Sequence, residues 1–447
     1  MILFIYILGI ILLFRFSYSL NNKILFSPSF MCCASFVVAC IFLFILKDDW
    51  NVNFSGYTVF LILIGLTSML LGEHLFSNKR KMILSSNYKV SFANVSYIDM
   101  NITVVFLIIL INYFASYIYY QDVIRIIGRN VESLSADNMA DYKNAVVFEG
   151  EKVSRITTQL NLITKATSFV FMFIFIFNLL CGYHSKKNYL YVVGSLPNII
   201  NSFLAGARLD YITFASLLLW FIYFIKISNG FTHKSYKKFL IKFGMRLAVI
   251  GVGVLVLFYF IRLAVGRANT EDMSFKEYIG EYIAAPSLNF EHYLNVTEQP
   301  DPFDFNIHRS ETFLGIGQFL SIFDKEINRY NPLFGFRSGP HGEKFGNVYT
   351  AFARYYSDFG VIGVLIFPFL IGCVLMKILS SCLNVKNQIF NSNIIFKVLV
   401  FGYLVCPLIV YAADDYFFRF FRHGTIEIIL FLYFFSKYTI KIYHKVL

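Results

Sequence analysis

The chain has 447 residues, of which 57% are hydrophobic, 19% aromatic and only 15% charged, and its mean hydropathy is +0.62. Soluble domains carry about 25% charged residues, so this composition excludes a soluble globular enzyme, a secreted disulfide-rich protein and a disordered chain. The formal net charge of +12 fits either a nucleic-acid partner or a charge asymmetry imposed by a membrane.

Apolar segments long enough to cross a membrane recur along the whole chain. A membrane-spanning helix needs about 20 mostly apolar residues, and eleven segments approach or meet this length. They lie near 2–14, 28–46, 56–72, 100–120, 160–182, 188–205, 210–227, 244–263, 350–376, 393–412 and 417–436. The sequence therefore predicts an all-α polytopic membrane protein with about 11 transmembrane helices, and we interpret residues 1–447 as a single integral membrane domain.

Basic residues collect in alternate connections between these spans. The connections on one side hold 20 Lys and Arg but only Glu73 and Asp99, a charge of about +18, which leaves about −6 on the other side. Because basic loops remain in the cytoplasm, we expect an outer N-terminus and a cytoplasmic C-terminus. The net charge of +12 then mostly reflects the membrane topology. The basic loops also lack the aromatic side chains that a nucleic-acid site presents for base stacking.

Two connections are long, residues 121–159 and 264–349, and both fall on the outer side. The second contains Ser274 and Glu277 in the spacing of a capping box, which predicts a helix that stops before Pro286. A further candidate helix, residues 311–323, carries an apolar stripe that could simply pack, or could cover a substrate cavity.

Charged side chains at membrane depth are costly and mark candidate functional sites. Arg208 lies in the short outer turn between spans six and seven, where it could bind a ligand or pair with Asp210. Arg267 opens the large loop after span eight. The pair Asp301 and Asp304 is too weak a signal for a metal, so we expect no metal and no cofactor.

Residues 346–363 lead from the large loop into span nine and hold the densest set of polar groups. If this segment is helical throughout, Asn347, Arg354 and Asp358 share one side. Arg354 and Asp358 could alternatively form a simple ion pair one turn apart. Tyr355 and Tyr356 supply amphipathic surface suited to sugar rings.

The last outer loop, residues 414–424, places Arg419 and Arg422 on one helix face. Internal neutralisation is the alternative here, through Asp415 with Arg419 and through His423 with Glu427. Guanidinium groups match phosphate oxygens in two parallel hydrogen bonds. An outer face that carries several arginines is therefore suited to the diphosphate of a lipid-linked substrate.

With about eleven spans, a large outer loop before the ninth, GARLDYITF near the middle and NVYTAFARYYSDFGVIG after the loop, the sequence resembles Wzy-type oligosaccharide repeat-unit polymerases. These O-antigen and capsule polymerases are distant relatives of the O-antigen ligases. The resemblance covers residues 200–430, whereas the first 200 residues match in hydropathy.

The resemblance implies a glycosyltransferase-C-like membrane fold and metal-independent chemistry in the bacterial inner membrane. The expected substrate is an oligosaccharide on undecaprenyl diphosphate, with membrane lipid and a chain-length regulator protein as further partners and no nucleic acid. It also implies that Arg208 and Arg267 bind diphosphate or glycan, and that Arg354 with Tyr355 and Tyr356 lines the reaction cavity.

One position departs from the ligase pattern. Ligases carry His directly before the Asn of the corresponding segment, whereas this chain has Gly346, which favours a polymerase. The general base is left open among Asp358, His341, His423 and Glu427. The expected reaction is an inverting transfer of the growing glycan to an incoming lipid-linked repeat. The alternatives are a ligase-type transferase and a flippase or transporter of lipid-linked sugars.

Overall fold

A computed structural model describes most of the chain. The described residues are 1–21, 23–76, 95–128, 136–147, 151–228, 238–246, 274–296, 310–320, 337–339, 344–383, 390–419 and 423–444, with single positions between 249 and 260.

Helices dominate the part of the chain that the structure describes. We number them α1 Ile2–Leu20, α2 Pro28–Ile45, α3 Gly56–Phe76, α4 Ile102–Ile127, α5 Ala136–Val147, α6 Arg155–Leu180, α7 Asn188–Leu204, α8 Arg208–Ser228, α9 Phe275–Ile283, α10 Ala285–Val296, α11 Leu314–Leu320, α12 Ala351–Leu383, α13 Ser392–Ile409, α14 Tyr416–Arg419 and α15 His423–Tyr438.

Eight of the described helices are long and apolar enough to cross a membrane: α1 to α4, α6, α8, α12 and α13. They coincide with eight of the predicted spans, so the expectation of a mostly helical, multi-pass membrane protein is confirmed. The other three predicted spans are not matched in this way. Helix α7 has 17 residues and α15 has 16, both short of the usual crossing length, and predicted span eight lies largely outside the described residues.

The two long connections contain helices of their own. Helix α4 extends beyond the predicted end of its span to Ile127, and α5 lies within the first long connection. In the second, the Ser274 hydroxyl and the Glu277 carboxylate each bind the other residue's backbone N–H group. This capping box starts α9, which ends at Ile283, so the predicted helix before Pro286 is confirmed.

Two short antiparallel strand pairs accompany the helices, and the sequence analysis did not predict them. Strand β1, Val95–Met100, pairs with β4, Ile440–His444, and Asp99 lies opposite Lys441. Strand β2, Arg337–Ser338, pairs with β3, Lys344–Gly346. The β1–β4 pair joins two segments that the charge pattern had placed on the same side of the membrane.

The chain forms two compact units. The first contains Met1–Ile83, Met273–Ser381 and Leu404–Thr425, and the second contains Leu84–Asp272, Cys382–Tyr403 and Ile426–Leu447. The candidate site described below lies entirely within the first unit.

Helices α3 and α12 cross within the first unit with their backbones in contact. A Cβ atom on Gly72 would lie 2.1 Å from the Phe369 carbonyl oxygen, and one on Gly372 would lie 2.3 Å from the Met69 carbonyl oxygen. Small residues permit such close approach between membrane helices. The crossing packs the later part of α12 against α3, and the first two turns of α12 carry the candidate site.

Candidate functional site

Residues 310–312, in the middle of the large connection, are anchored to α12 through Asp358. Its carboxylate accepts hydrogen bonds from the Ser310 hydroxyl at 2.6 Å and from the backbone N–H groups of Glu311 at 3.0 Å and Thr312 at 2.7 Å. The Thr312 hydroxyl donates to the Arg354 carbonyl at 3.1 Å. A carboxylate satisfies backbone N–H groups of this kind well, so residues 310–312 are held against the start of α12.

Arg354, one turn before Asp358, is the centre of a buried ion-pair network. Its Nε donates to Asp414 Oδ1 at 2.5 Å and its Nη2 to Asp414 Oδ2 at 3.3 Å, while Nη1 donates to Glu311 Oε2. Arg354 is 5% exposed, Asp414 4% and Glu311 0%. One guanidinium therefore joins the middle of the large connection to the segment that follows α13.

Asp415 extends the network on its other side. Its Oδ1 accepts hydrogen bonds from the Tyr355 hydroxyl at 3.0 Å and from the backbone N–H groups of Phe417 and Phe418 at 3.0 and 3.3 Å. Its Oδ2 is buried and has no hydrogen-bond partner among the described residues. Burial and the negative charge of Asp414 raise the pKa of Asp415 to about 7, against the hydrogen bond from Tyr355 and the charge of Arg354.

We call Arg354, Glu311, Asp414, Asp415 and Tyr355 the Arg354 cluster. It holds one fixed cation, two carboxylates paired with that cation and a third carboxyl group whose pKa lies near neutrality. A group with such a pKa can accept and return a proton near pH 7, which is the requirement for general acid–base chemistry.

Aromatic rings surround the cluster. The Phe313 ring meets Phe359, Phe367 and Phe418 edge-on, with centroids 5.5 to 6.2 Å apart. The Tyr411 hydroxyl donates to the Tyr355 hydroxyl at 3.3 Å. Residues 310–313 and these rings keep the cluster buried.

The structure brings together three of the predicted site residues: Arg354, Asp358 and Tyr355. The prediction that Asn347 shares a helix face with Arg354 and Asp358 is wrong, because α12 begins at Ala351 and Asn347 is an exposed turn residue after β3. Tyr356 is buried, and its hydroxyl lies 3.3 Å from that of Tyr57.

For most of the other predicted site residues, the structure describes either the backbone alone or nothing. Arg208, Arg419 and His423 lie at the starts or ends of α8, α14 and α15, but the structure describes only their backbone, and Arg267, His341 and Arg422 lie outside the described residues. Glu427 belongs to the second unit, and its Oε2 is buried without a hydrogen-bond partner in the described part of the chain.

Sequence reasoning missed the acidic half of the cluster. Glu311 was treated only as the start of an amphipathic helix, and Asp415 only as a partner for Arg419. The available signal was the adjacent acids Asp414 and Asp415 directly after the apolar run of α13, since paired carboxylates there need compensating partners.

Within the described ranges, no three His, Cys, Asp or Glu side chains are arranged to hold a metal ion. In the Arg354 cluster, Glu311 and Asp414 are each bound to the guanidinium.

The chain matches no known protein-family model, no characterised protein and no solved structure. A functional assignment must therefore come from the residues of the site and from the sequence resemblance.

Proposed function

We propose that this membrane protein is a glycosyltransferase that polymerises lipid-linked oligosaccharide repeat units, as its resemblance to Wzy-type polymerases implies. The observation that carries the proposal is the Arg354 cluster. It combines a fixed guanidinium with a carboxyl group of near-neutral pKa at the start of α12, in the segment that carries the resemblance.

In the proposed reaction, a hydroxyl oxygen of the incoming lipid-linked repeat attacks C1 of the growing glycan's reducing-end sugar and inverts it. The bond between C1 and the diphosphate oxygen breaks, and the lipid diphosphate leaves with the electron pair. Asp415 accepts the hydroxyl proton. Arg354 holds Asp414 and Glu311 in place, and arginines of the outer face stabilise the charge on the diphosphate.

This function assigns the protein to the bacterial inner membrane, with the N-terminus outside, the C-terminus in the cytoplasm and the reaction on the outer face. Eleven spans, a glycosyltransferase-C-like arrangement and a metal-independent reaction belong to the same proposal, as does a lipopolysaccharide or capsule product.

The test is to incubate the purified protein with lipid-linked repeat units alone and to separate the products by size. A polymerase makes a ladder, a ligase needs a second acceptor, and a flippase moves the substrate across a vesicle membrane without forming a bond. The variant Asp415→Asn keeps the side-chain shape but removes the base, so we expect chain growth to slow by about 10²- to 10⁴-fold.

The matched control is Arg125→Gln in the second unit, which removes a half-exposed cation paired with Asp122 and should leave the ladder unchanged. Equal ladders from Asp415→Asn and the wild type would contradict the proposed mechanism. Absence of any ladder from the wild type, with bond formation only when another acceptor is added, would replace the polymerase by a ligase.

A further inference from the structure

Arg337, in the short hairpin formed by β2 and β3, differs from Arg354 in what its guanidinium contacts. Its Nε donates to the Tyr349 hydroxyl at 2.5 Å, and its Cζ lies 5.8 Å from the centre of the Tyr349 ring. Its terminal nitrogens, Nη1 and Nη2, have no hydrogen-bond partner among the described residues, and the side chain is only half-buried. The guanidinium is therefore oriented at one edge, and its other edge is unpaired within the part of the chain that the structure describes.

Tyr349, the residue that Arg337 contacts, is held in place by its surroundings. Tyr349 is fully buried, and Arg337 lies opposite Gly346 in the strand pair. The Asn289 side chain on α10 donates to the carbonyl oxygens of Phe345 at 3.0 Å and Val348 at 2.8 Å. These bonds fasten the residues directly before Tyr349 to α10, which limits the freedom of the tyrosine that orients the guanidinium.

His292 supplies a second donor beside Arg337. It lies one turn after Asn289 on α10 and is exposed. Partial loss of hydration and the positive charge of Arg337 lower the pKa of His292. Asn289, one turn earlier on the same helix, is bonded to Phe345 and Val348, so His292 lies on the helix that packs against the hairpin of Arg337.

The chemistry of these groups indicates an oxyanion. A guanidinium with both terminal nitrogens open matches two oxygens of a phosphate or carboxylate. Arg354 cannot serve in this way in the described arrangement, because Glu311 and Asp414 already occupy its guanidinium and it is buried.

We propose that Arg337 and His292 form a binding site for phosphate-type oxyanions. Resting on the proposed function, we assign its ligand as the diphosphate of a lipid-linked saccharide. Arg337 then binds the diphosphate leaving group, while Asp415 of the Arg354 cluster accepts the hydroxyl proton.

An acidic residue, Glu281, lies beside the hairpin. Its replacement should change anion affinity in the direction opposite to Arg337→Ala. Glu281 on α9 lies beside Gly346, with its Oε1 3.0 Å from where a Cβ on that glycine would be. Glu291, on the same helix as His292, is bound to the backbone N–H and the hydroxyl of Ser55. The charge of Glu281 opposes an incoming anion, so its removal should strengthen binding.

The test is calorimetric titration of the purified full chain with inorganic pyrophosphate, in nanodiscs of zwitterionic lipid. We expect Arg337→Ala to weaken pyrophosphate binding at least about tenfold. Arg337→Lys should have an affinity between those of Arg337→Ala and the wild type, because the ammonium group keeps the charge but lacks the two parallel N–H donors of the guanidinium. Glu281→Gln should strengthen binding a few-fold. Thermal unfolding of each variant shows that it is folded.

The control is Lys276→Ala, which removes an exposed cation of the same unit that pairs with Asp49. It should bind pyrophosphate as the wild type does. Unchanged binding by Arg337→Ala, or an equal loss in Lys276→Ala, would overturn the proposal.

Two further arms identify the ligand. Phosphatidylglycerol in the nanodiscs should leave pyrophosphate affinity unchanged, and loss of binding there would mean that bulk headgroups occupy the site, which overturns the assignment. With lipid-linked repeats, Arg337→Ala should raise KM, and an unchanged KM would also overturn it. Pyrophosphate binding that depends on Arg337, in a protein that forms no glycosidic bond, would support the oxyanion site and refute only the proposed function.

Discussion

At the scale of single residues, Asp415 is the most informative group. Its Oδ1 is held by Tyr355 and by two backbone N–H groups, whereas its buried Oδ2 has no partner in the described part of the protein. A carboxyl group that lies beside another carboxylate and away from water holds its proton more strongly than in the unfolded chain.

This raised pKa predicts a pH dependence of stability. The folded protein keeps the Asp415 proton up to about pH 7, whereas the unfolded chain releases it near the ordinary value of 3.8. The unfolded state therefore gains stability as the pH rises from about 4 to about 7, by about 4 kcal/mol at most. Thermal unfolding should show the wild type losing stability over this range relative to Asp415→Asn, with the difference constant above it.

The control for this experiment is Asp49→Asn, which alters an exposed carboxylate paired with Lys276 and should keep the wild-type slope. If Asp415→Asn has the same slope as the wild type, Asp415 ionises in the folded protein as it does in the unfolded chain.

Sequence reasoning identified Arg354 and Asp358 as site residues but not what they bind. Glu311 and Asp414 lie 43 and 60 residues from Arg354, and helical spacing relates only residues within a few turns. The expected pairing of Asp358 within its own helix face gave no indication that it binds residues 310–312.

At the scale of elements, two features position α12: a break in the helix at Gly360 and a close crossing with α3. Gly360 has φ 56° and ψ −145°, a conformation that only glycine adopts easily, and it separates the site-bearing turns from the rest of the helix. Beyond it, α12 crosses α3 at Gly72 and Gly372. The apolar pattern predicted both helices, but the break depends on tertiary contacts that hydrophobic periodicity does not encode.

The crossing predicts that Gly72→Ala separates the two helices. The added methyl group would meet the Phe369 carbonyl oxygen at 2.1 Å, so backbone must shift at a cost of about 1–3 kcal/mol or more. Gly56→Ala is the matched control, because a methyl there, on the same helix, has no neighbour within 4 Å among the described residues. Thermal unfolding in detergent should show a lower Tm for Gly72→Ala alone, and equal Tm values for the two variants would refute the close contact.

At the scale of the whole molecule, the partition of charge predicts orientation more directly than any single contact. Asp141 on α5 belongs to the first long connection, which should be outside, whereas Lys186 before α7 belongs to a basic connection, which should be inside. Both side chains are exposed, so both are accessible to a reagent on the correct side.

We therefore expect single cysteines at these two positions, in a chain whose seven native cysteines are replaced, to label differently. A membrane-impermeant thiol reagent should modify Asp141→Cys in intact spheroplasts and Lys186→Cys only after permeabilisation. The reverse pattern would invert the assigned orientation and place the Arg354 cluster and the long connections in the cytoplasm.

The pairing of β1 with β4 has a consequence for synthesis. The ribosome completes β1 more than three hundred residues before β4, and at ordinary elongation rates this leaves β1 without its partner for on the order of tens of seconds. During that interval its open edge can accept a strand from another nascent copy. Correct assembly of the second unit therefore requires that the edge of β1 stays unpaired until the last residues of the chain are made.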